Sequence, residues 1–367
     1  MIALKKMKPE DRLLFVCTRQ DFFPYHKEAL LEICREKEIR WDVVYSTAEL
    51  HGVLPLVYSN IEQCDTTKLR IPDDVLRRFK LYSYRNIQIS EQKARAMMEV
   101  LSYLDNKSFD IMLIKGSAMN VLVYRHPWLT VQNDFDIILK PRGREIQDLT
   151  KEERREIYEY LAERDVEHGY TKHHDLYLSN LSAVNFEKIW DEATMINYMG
   201  RDVFVMSPED MLITACITSC RKRFFRLKTL CDIAEIIYKY RNLKWDVVTS
   251  KAKEYRCNNV VYAALLITQM TLGCKFPEEV IDNLGVITVR SALIRFIINY
   301  LNQHLSLSYL YPFPIERPKS RGLNLSMILP YATYSWHQLW FRTWEAIKYV
   351  HRIYWLSMQG KRKRLSL

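Results

Sequence analysis

"FDIMLIKGSAMNVLVYRHPWLTVQNDFDIIL", residues 109–139, is where the texture of the chain changes. From Arg12 to Asn106 the apolar residues recur at the helical period. Phe109 to Gly116 is instead a short apolar run closed by glycine, the pattern of a buried strand. Ser117 to Tyr124 predicts a helix that Pro127 ends. Asp134 to Leu139 predicts a second buried strand, broken by Pro141 and Gly143, and it carries two carboxylates. Residues two apart on a strand share a face, so Asp134 and Asp136 project together, about 7 Å apart. Two unpaired carboxylates on one face repel each other and lose hydration. A divalent cation removes that penalty. Magnesium takes oxygen ligands, usually one or two carboxylates plus substrate phosphates. Two such ions can clamp the attacking and leaving oxygens of a nucleotidyl transfer.

Upstream, Gly116 and Ser117 sit at a strand-to-helix turn. Glycine lets backbone approach a ligand closely, and a helix start offers unpaired N–H groups and the positive dipole end to phosphate. Asp175, in "TKHHDLYLSN" (171–180), is the candidate for a third carboxylate on a neighbouring strand. An isolated Asp-x-Asp is ordinarily a solvated strand end. The ordered set of strand, Gly-Ser, helix, Asp-x-Asp and a later strand acid is far more specific, and it predicts a site for metal and nucleotide.

The flanks are helical. "HKEALLEICREKEI" (26–39) gathers Leu30, Leu31, Ile33 and Cys34 on one side. Thr47 is placed to cap "AELHGVLPLVYSNI" (48–61), which Pro55 would kink or divide. Pro72, Asp73 and Asp74 make a helix start, with acids at the positive end of the dipole. "EIQDLTKEERREIYEYLAERDV" (145–166) reads as a charged surface helix, and His168 with Gly169 as a turn. "TKHHDLYLSN" alternates like a third strand, and "DVFVM" (202–206) suggests a fourth. Ser207, Pro208 and Asp210 form a helix start with a capping box. The expected organisation is α+β: helices over 1–106, a mixed-sheet core over 107–205, helices over 206–304, and a linker with an aromatic, basic segment over 305–367.

Composition sets outer limits. Of 367 residues, 48% are hydrophobic and only 9 are glycine, which suits a helix-rich globular protein of two or three domains. The formal charge of +10 permits nucleotide, nucleic acid or anionic lipid as partner. The eight cysteines form no C-x-x-C pair, which argues against a zinc ribbon and for a reducing compartment. No apolar stretch approaches the length of a membrane span and none resembles a signal peptide, so a cytoplasmic protein is expected, with membrane-surface contact left open.

The ordered motif resembles that of the DNA polymerase beta-type nucleotidyltransferases, and more closely a bacterial family of uncharacterised nucleotidyltransferases. Leu113, Lys115, Gly116, Ala118, Tyr124, Pro127, Asp134 and Asp136 carry the likeness. It extends to "HGVLPLVY" (51–58), to "HHDLYL" (173–178, with Tyr177 where His is usual), and to "IWDEA" and "SPEDMLI…LCDIAEII" downstream, over about residues 25–265. The departures are Thr130 in place of an arginine, Asn133 in place of a glycine, and Thr218, Ser219 and Cys220 where histidines are common.

The resemblance implies a polymerase beta-like core that moves an NMP from an NTP to an acceptor with Mg²⁺ or Mn²⁺. Asp134, Asp136 and Asp175 would be the metal ligands and catalytic acids, and Lys115, Gly116 and Ser117 would hold the triphosphate. Lys115, or the run Arg221-Lys222-Arg223, could replace the missing arginine. For Lys115 and for that run, plain solvated surface is the simpler expectation. His173 shares a strand face with Asp175 and could contact the acceptor. Asp232 is expected to satisfy a buried polar partner. The acceptor is left open among small molecule, peptide and protein, with RNA as an alternative. A catalytically silent binding or regulatory module on the same fold is the other alternative. Beyond the resemblance, Trp336, Trp340 and Trp344 share a helix face ahead of the basic run Lys361–Arg364. They could pack in a core, lie on a membrane surface or grip a partner.

Overall fold

The computed structural model describes residues 7–132, 134–170, 184, 186–222, 224 and 226–304. The expected strand around Asp175, His173, Arg223, Asn133 and the whole tryptophan-rich segment lie outside the described residues.

Five helices open the chain: α1 (Pro9–Cys17), α2 (Pro24–Glu36), α3 (Trp41–Leu50), α4 (Leu54–Ile61) and α5 (Thr66–Leu69). The 34-residue α6 (Asp73–Asn106) follows, with Asp73 and Asp74 in its first turn as the dipole favours. The α+β part is β1 (Phe109–Leu113), α7 (Lys115–Leu122), β2 (Phe135–Pro141), α8 (Lys151–Ala162), β3 (Val166–Tyr170), α9 (Phe186–Asp191), β4 (Thr194–Tyr198) and β5 (Arg201–Val205). Among the described residues six more helices follow: α10 (Pro208–Arg221), α11 (Leu227–Lys239), α12 (Trp245–Glu254), α13 (Asn258–Leu272), α14 (Glu279–Asn283) and α15 (Thr288–His304).

The described strands form one mixed sheet in the order β3-β2-β1-β5-β4. β1 runs antiparallel to β2 and parallel to β5; β2 and β3 are parallel, and β4 and β5 antiparallel. Period-two alternation sorts the side chains. Phe109, Ile111 and Leu113 of β1, with Phe135, Ile137 and Leu139 of β2, pack with Met97, Leu101 and Leu104 of α6 and with Ile157 and Leu161 of α8. Met112 and Ile138 belong to the larger core that the N-terminal helices share with α10 to α13. Asp136, two residues before Ile138, therefore sits on the sheet face that turns toward that second core. The strand expected from Asp134 begins at Phe135, so Asp136 lies in it and Asp134 just before it, and both acids line a cleft.

Several local expectations are corrected. Thr47 lies inside α3 and caps nothing. The break comes at His51–Val53, where Gly52 takes φ +69°, and Pro55 falls in the first turn of α4, where its missing N–H costs no hydrogen bond. The charged helix begins only at Lys151. The Thr150 hydroxyl accepts from the Glu153 N–H at 3.1 Å, and the Glu153 carboxylate accepts from the Thr150 N–H at 2.8 Å. His168 and Gly169 are not a turn. They continue β3, registered against Ile137 and Ile138, because pairing to a buried parallel neighbour overrides the turn preference of glycine. β4 went unread; it is joined to β5 by Met199 and Gly200, both at positive φ as a tight hairpin turn requires.

Candidate active site

The turn between β1 and α7 is built by Lys115 rather than Gly116. Lys115 is the residue at positive φ (48°), a conformation costly for a side chain with a Cβ and one that clusters at functional sites. Gly116 does not need glycine's conformational freedom. A Cβ there would meet nothing within 4 Å, so the residue leaves open space at the surface of a cleft. Ser117 is buried. Its hydroxyl accepts the Asp136 N–H at 2.9 Å, which ties the turn to the acidic strand.

Asp134 and Asp136 both line a cleft of about 370 Å³, with Lys115 and Gly116. Lys115, far from being plain surface, bridges to Asp136 at 2.5 Å, and both side chains are largely buried. Glu167 of β3, opposite Asp136 in the register, also lines the cleft and stands 3.9 Å from the Lys115 Nζ. Burial pushes the Asp136 carboxyl up to about 6; Lys115 opposes this, and Asp134 and Glu167 add to it. A cation among these carboxylates would relieve both burial and repulsion, and their all-oxygen donor set suits magnesium. Among the described residues no group of three or more His, Cys, Asp or Glu is placed to hold a metal ion. The proposed third ligand, Asp175, lies outside them.

The raised value fixes a sign. Ionising Asp136 costs more in the folded chain than in the unfolded one. Its contribution to stability is full below pH 4 and is lost as pH rises through about 6, a change on the order of 3 kcal/mol. Urea unfolding of the metal-free protein in EDTA should show wild type losing stability relative to Asp136→Asn between pH 4 and 6.5. Wild type holding or gaining stability relative to Asp136→Asn over that range would contradict the assignment.

The opposite wall of the cleft is basic. Arg221 and Lys222 at the end of α10, and Arg226 and Lys228 at the start of α11, all line it. Lys222 stays exposed, in keeping with the solvated face expected of the run, and Arg221 is half-buried; both nevertheless line the cleft. Lys222 is held below its ordinary pKa, first by burial and then by Arg226 and Arg221. Two polar atoms of this wall, the Thr218 hydroxyl and Arg226 Nε, are buried without a hydrogen-bond partner. Crowded cations and orphaned donors in one cleft mark a place for an anion. Sequence reasoning stopped at Arg223, although the run "RKRFFRLK" (221–228) continues the basic pattern to Lys228. It also missed Glu167, hidden by the false turn, and Gln132, whose side chain accepts from Asn120 Nδ2 at 2.7 Å and donates to the Asp134 carbonyl at 3.1 Å.

A family model described as an uncharacterised nucleotidyltransferase matches residues 37–273, well over half of the chain. The chain belongs to this nucleotidyltransferase family. No curated protein and no solved structure matches it. The matched span takes in the acidic strand, the basic wall and the "HGVLPLVY" segment, whose first residue now has a physical role. His51 is fully buried. Its Nδ1 accepts the Leu227 N–H at 3.1 Å, and its carbonyl accepts the Lys228 N–H at 3.3 Å. It therefore anchors the first turn of α11, which carries Lys228 to the cleft. His51→Ala is expected to cost about 1–3 kcal/mol, read from urea midpoints, by stranding the buried Leu227 N–H. The family-like Tyr124 and Asp232 are also joined, across 108 residues: the Tyr124 hydroxyl donates to Asp232 at 2.7 Å, and Lys228 reaches the other carboxylate oxygen at 2.9 Å. Asp232 thus has the buried polar partner expected of it.

Proposed function

We propose that the chain is an active nucleotidyltransferase that moves an NMP from an NTP to an acceptor and releases pyrophosphate. One observation carries this reading: a single cleft of ligand size sets the carboxylates of Asp134 and Asp136 against the basic wall of Arg221, Lys222, Arg226 and Lys228. The wall suits a triphosphate, and the missing arginine near Thr130 is made good by residues from α10 and α11. Gly116 gives the phosphates room to approach. Ser117 keeps Asp136 in place from behind rather than touching substrate. Asp134 and Asp136, with Asp175 as the proposed third ligand, would hold Mg²⁺ or Mn²⁺. When bound, the metal supplies charge neutralisation and polarises the phosphoryl oxygens. The basic wall binds and orients, and its fixed charges stabilise the negative charge that builds on the leaving pyrophosphate.

The 2.5 Å pairing of Lys115 with Asp136 favours a second reading, a catalytically silent module in which lysine takes the place of metal. The two are separated by pyrophosphate release from each of the four NTPs with Mg²⁺ or Mn²⁺, using cell extract as acceptor source. The control is Asp134→Ala/Asp136→Ala. Release confined to the wild type supports transfer. No release and no metal-dependent NTP binding would leave the silent module. Among the described residues no helix is long and apolar enough to cross a membrane.

A further inference from the structure

A second cavity, of about 550 Å³, lies beside the first, and Val131 and Gln132 line both. Its volume falls within the roughly 300–1,000 Å³ of small-molecule sites. One stripe of α6 builds much of its wall. Arg78, Tyr82, Arg85, Ile89 and Lys93 follow one another at steps of three or four residues. Tyr45 and Glu49 of α3 also line the cavity. Of the residues that line it, Arg78, Arg85 and Lys93 are basic and Glu49 is acidic.

The aromatic part is fixed in advance. Arg78 is held by Asp42 at 2.6 Å and lies 4.2 Å over the Tyr45 ring, which meets Tyr82 edge-on at 6.5 Å. Lys93 marks the end nearest the acids. Burial holds its pKa down, while Asp165 and Asp134 pull the other way, so it feels the carboxylate of the first cleft. Gln132 is the partition. It bonds the Asp134 carbonyl at 3.1 Å and, at 3.5 Å, the Ser117 hydroxyl.

We propose that this second cavity is the acceptor subsite, and that the acceptor is a small molecule with a flat or apolar body, a carboxylate or phosphate, and a hydroxyl that receives the NMP. The proposal rests on the transferase reading above. The rings of Tyr45 and Tyr82 pack the body, Arg85 and Lys93 neutralise the anion, and the shared wall at Gln132 directs the hydroxyl toward the NTP. The hydroxyl oxygen bonds to the α-phosphorus as the bond from that phosphorus to the bridging oxygen breaks. Pyrophosphate leaves with that electron pair, and the hydroxyl proton passes to water.

Two measurements on the full chain test it. The first uses α-labelled NTP, Mg²⁺ and an extract separated into small molecules, protein and RNA. Label is expected in the small-molecule fraction. Arg85→Ala should raise the KM for that fraction tenfold or more, Arg85→Glu further, and Arg85→Lys should recover part of it, with NTP affinity unchanged. The second is saturation-transfer NMR with phenyl phosphate, 4-hydroxybenzoate and neutral 4-hydroxybenzamide. The two anions should bind at least tenfold more tightly than the amide, lose that advantage in Arg85→Ala, and by their ranking tell phosphate from carboxylate. Label in RNA or protein, transfer indifferent to Arg85, or equal binding of the amide would each overturn the acceptor proposal alone. Failure of the wild type to bind Mg·NTP would instead overturn the transferase reading, and the acceptor role with it.

Discussion

Asp136→Asn is expected to lower NMP transfer by roughly 10³-fold or more while the chain stays folded. The amide keeps the size of the side chain, and the hydrogen bond from the Asp136 N–H to Ser117 belongs to the backbone, so the strand keeps its place. What is lost is the charge. A neutral amide is a poor magnesium ligand, so less metal charge would be held beside the substrate phosphates. Lys115 also loses its ion-pair partner at 2.5 Å and keeps Glu167 at 3.9 Å. The drop should be in kcat at saturating metal, because the interaction matters most as charge moves to the leaving group. Single-turnover transfer of labelled nucleotide, with far-UV circular dichroism as the fold control, checks this. A decrease of less than tenfold would remove Asp136 from the chemistry.

Asp210→Ala is expected to cost about 3–5 kcal/mol, a large part of the roughly 5–15 kcal/mol that holds a domain together. Asp210 is 0% exposed in the first turn of α10. Its carboxylate accepts from Lys251 at 2.6 Å, from the Tyr255 hydroxyl at 3.2 Å and from the Ser207 hydroxyl at 2.8 Å. Burial alone would pull Lys251 down, but Asp210 and Glu192 outweigh it and hold its pKa above the ordinary value. Removing Asp210 leaves a largely buried ammonium with only the half-exposed Glu192, and a buried phenol with no acceptor at that distance. Asp210→Asn should cost less, because the amide oxygen still accepts from Tyr255. Urea unfolding of the three proteins at pH 7 gives the order. Equal stabilities would mean the network is not the tie between α10 and α12. The same tie sets the basic wall, since α10 ends in Arg221 and Lys222.

Much of the site was legible along the chain because its signals are short-range. The β1 run and the acidic pair before Ile137 need only the period-two rule; the turn was read at Gly116 and Ser117, and the structure moves its strained residue to Lys115. The cap at Ser207 is a four-residue pattern. Gly169 shows where local reading fails. Glycine after histidine looks like a turn, and only pairing with β2 makes it strand and brings Glu167 to the cleft. Ser117 shows the same for a side chain: its hydroxyl was expected to hold phosphate, and its burial against the Asp136 N–H gives it a supporting place instead.

The sequence by itself determined the α+β class and the strand–turn–helix–strand unit with an Asp-x-Asp pair at the head of its second strand, because backbone periodicity and turn chemistry act over a few residues. Only the tertiary structure decided that Arg226 and Lys228 face those acids across some ninety residues of chain, that His51 anchors their helix, and that a tyrosine- and arginine-lined cavity of α6 adjoins the cleft. A charged run does not say which partner it will face, because the packing that brings it to the acids is set by the fit of two apolar cores distant in sequence.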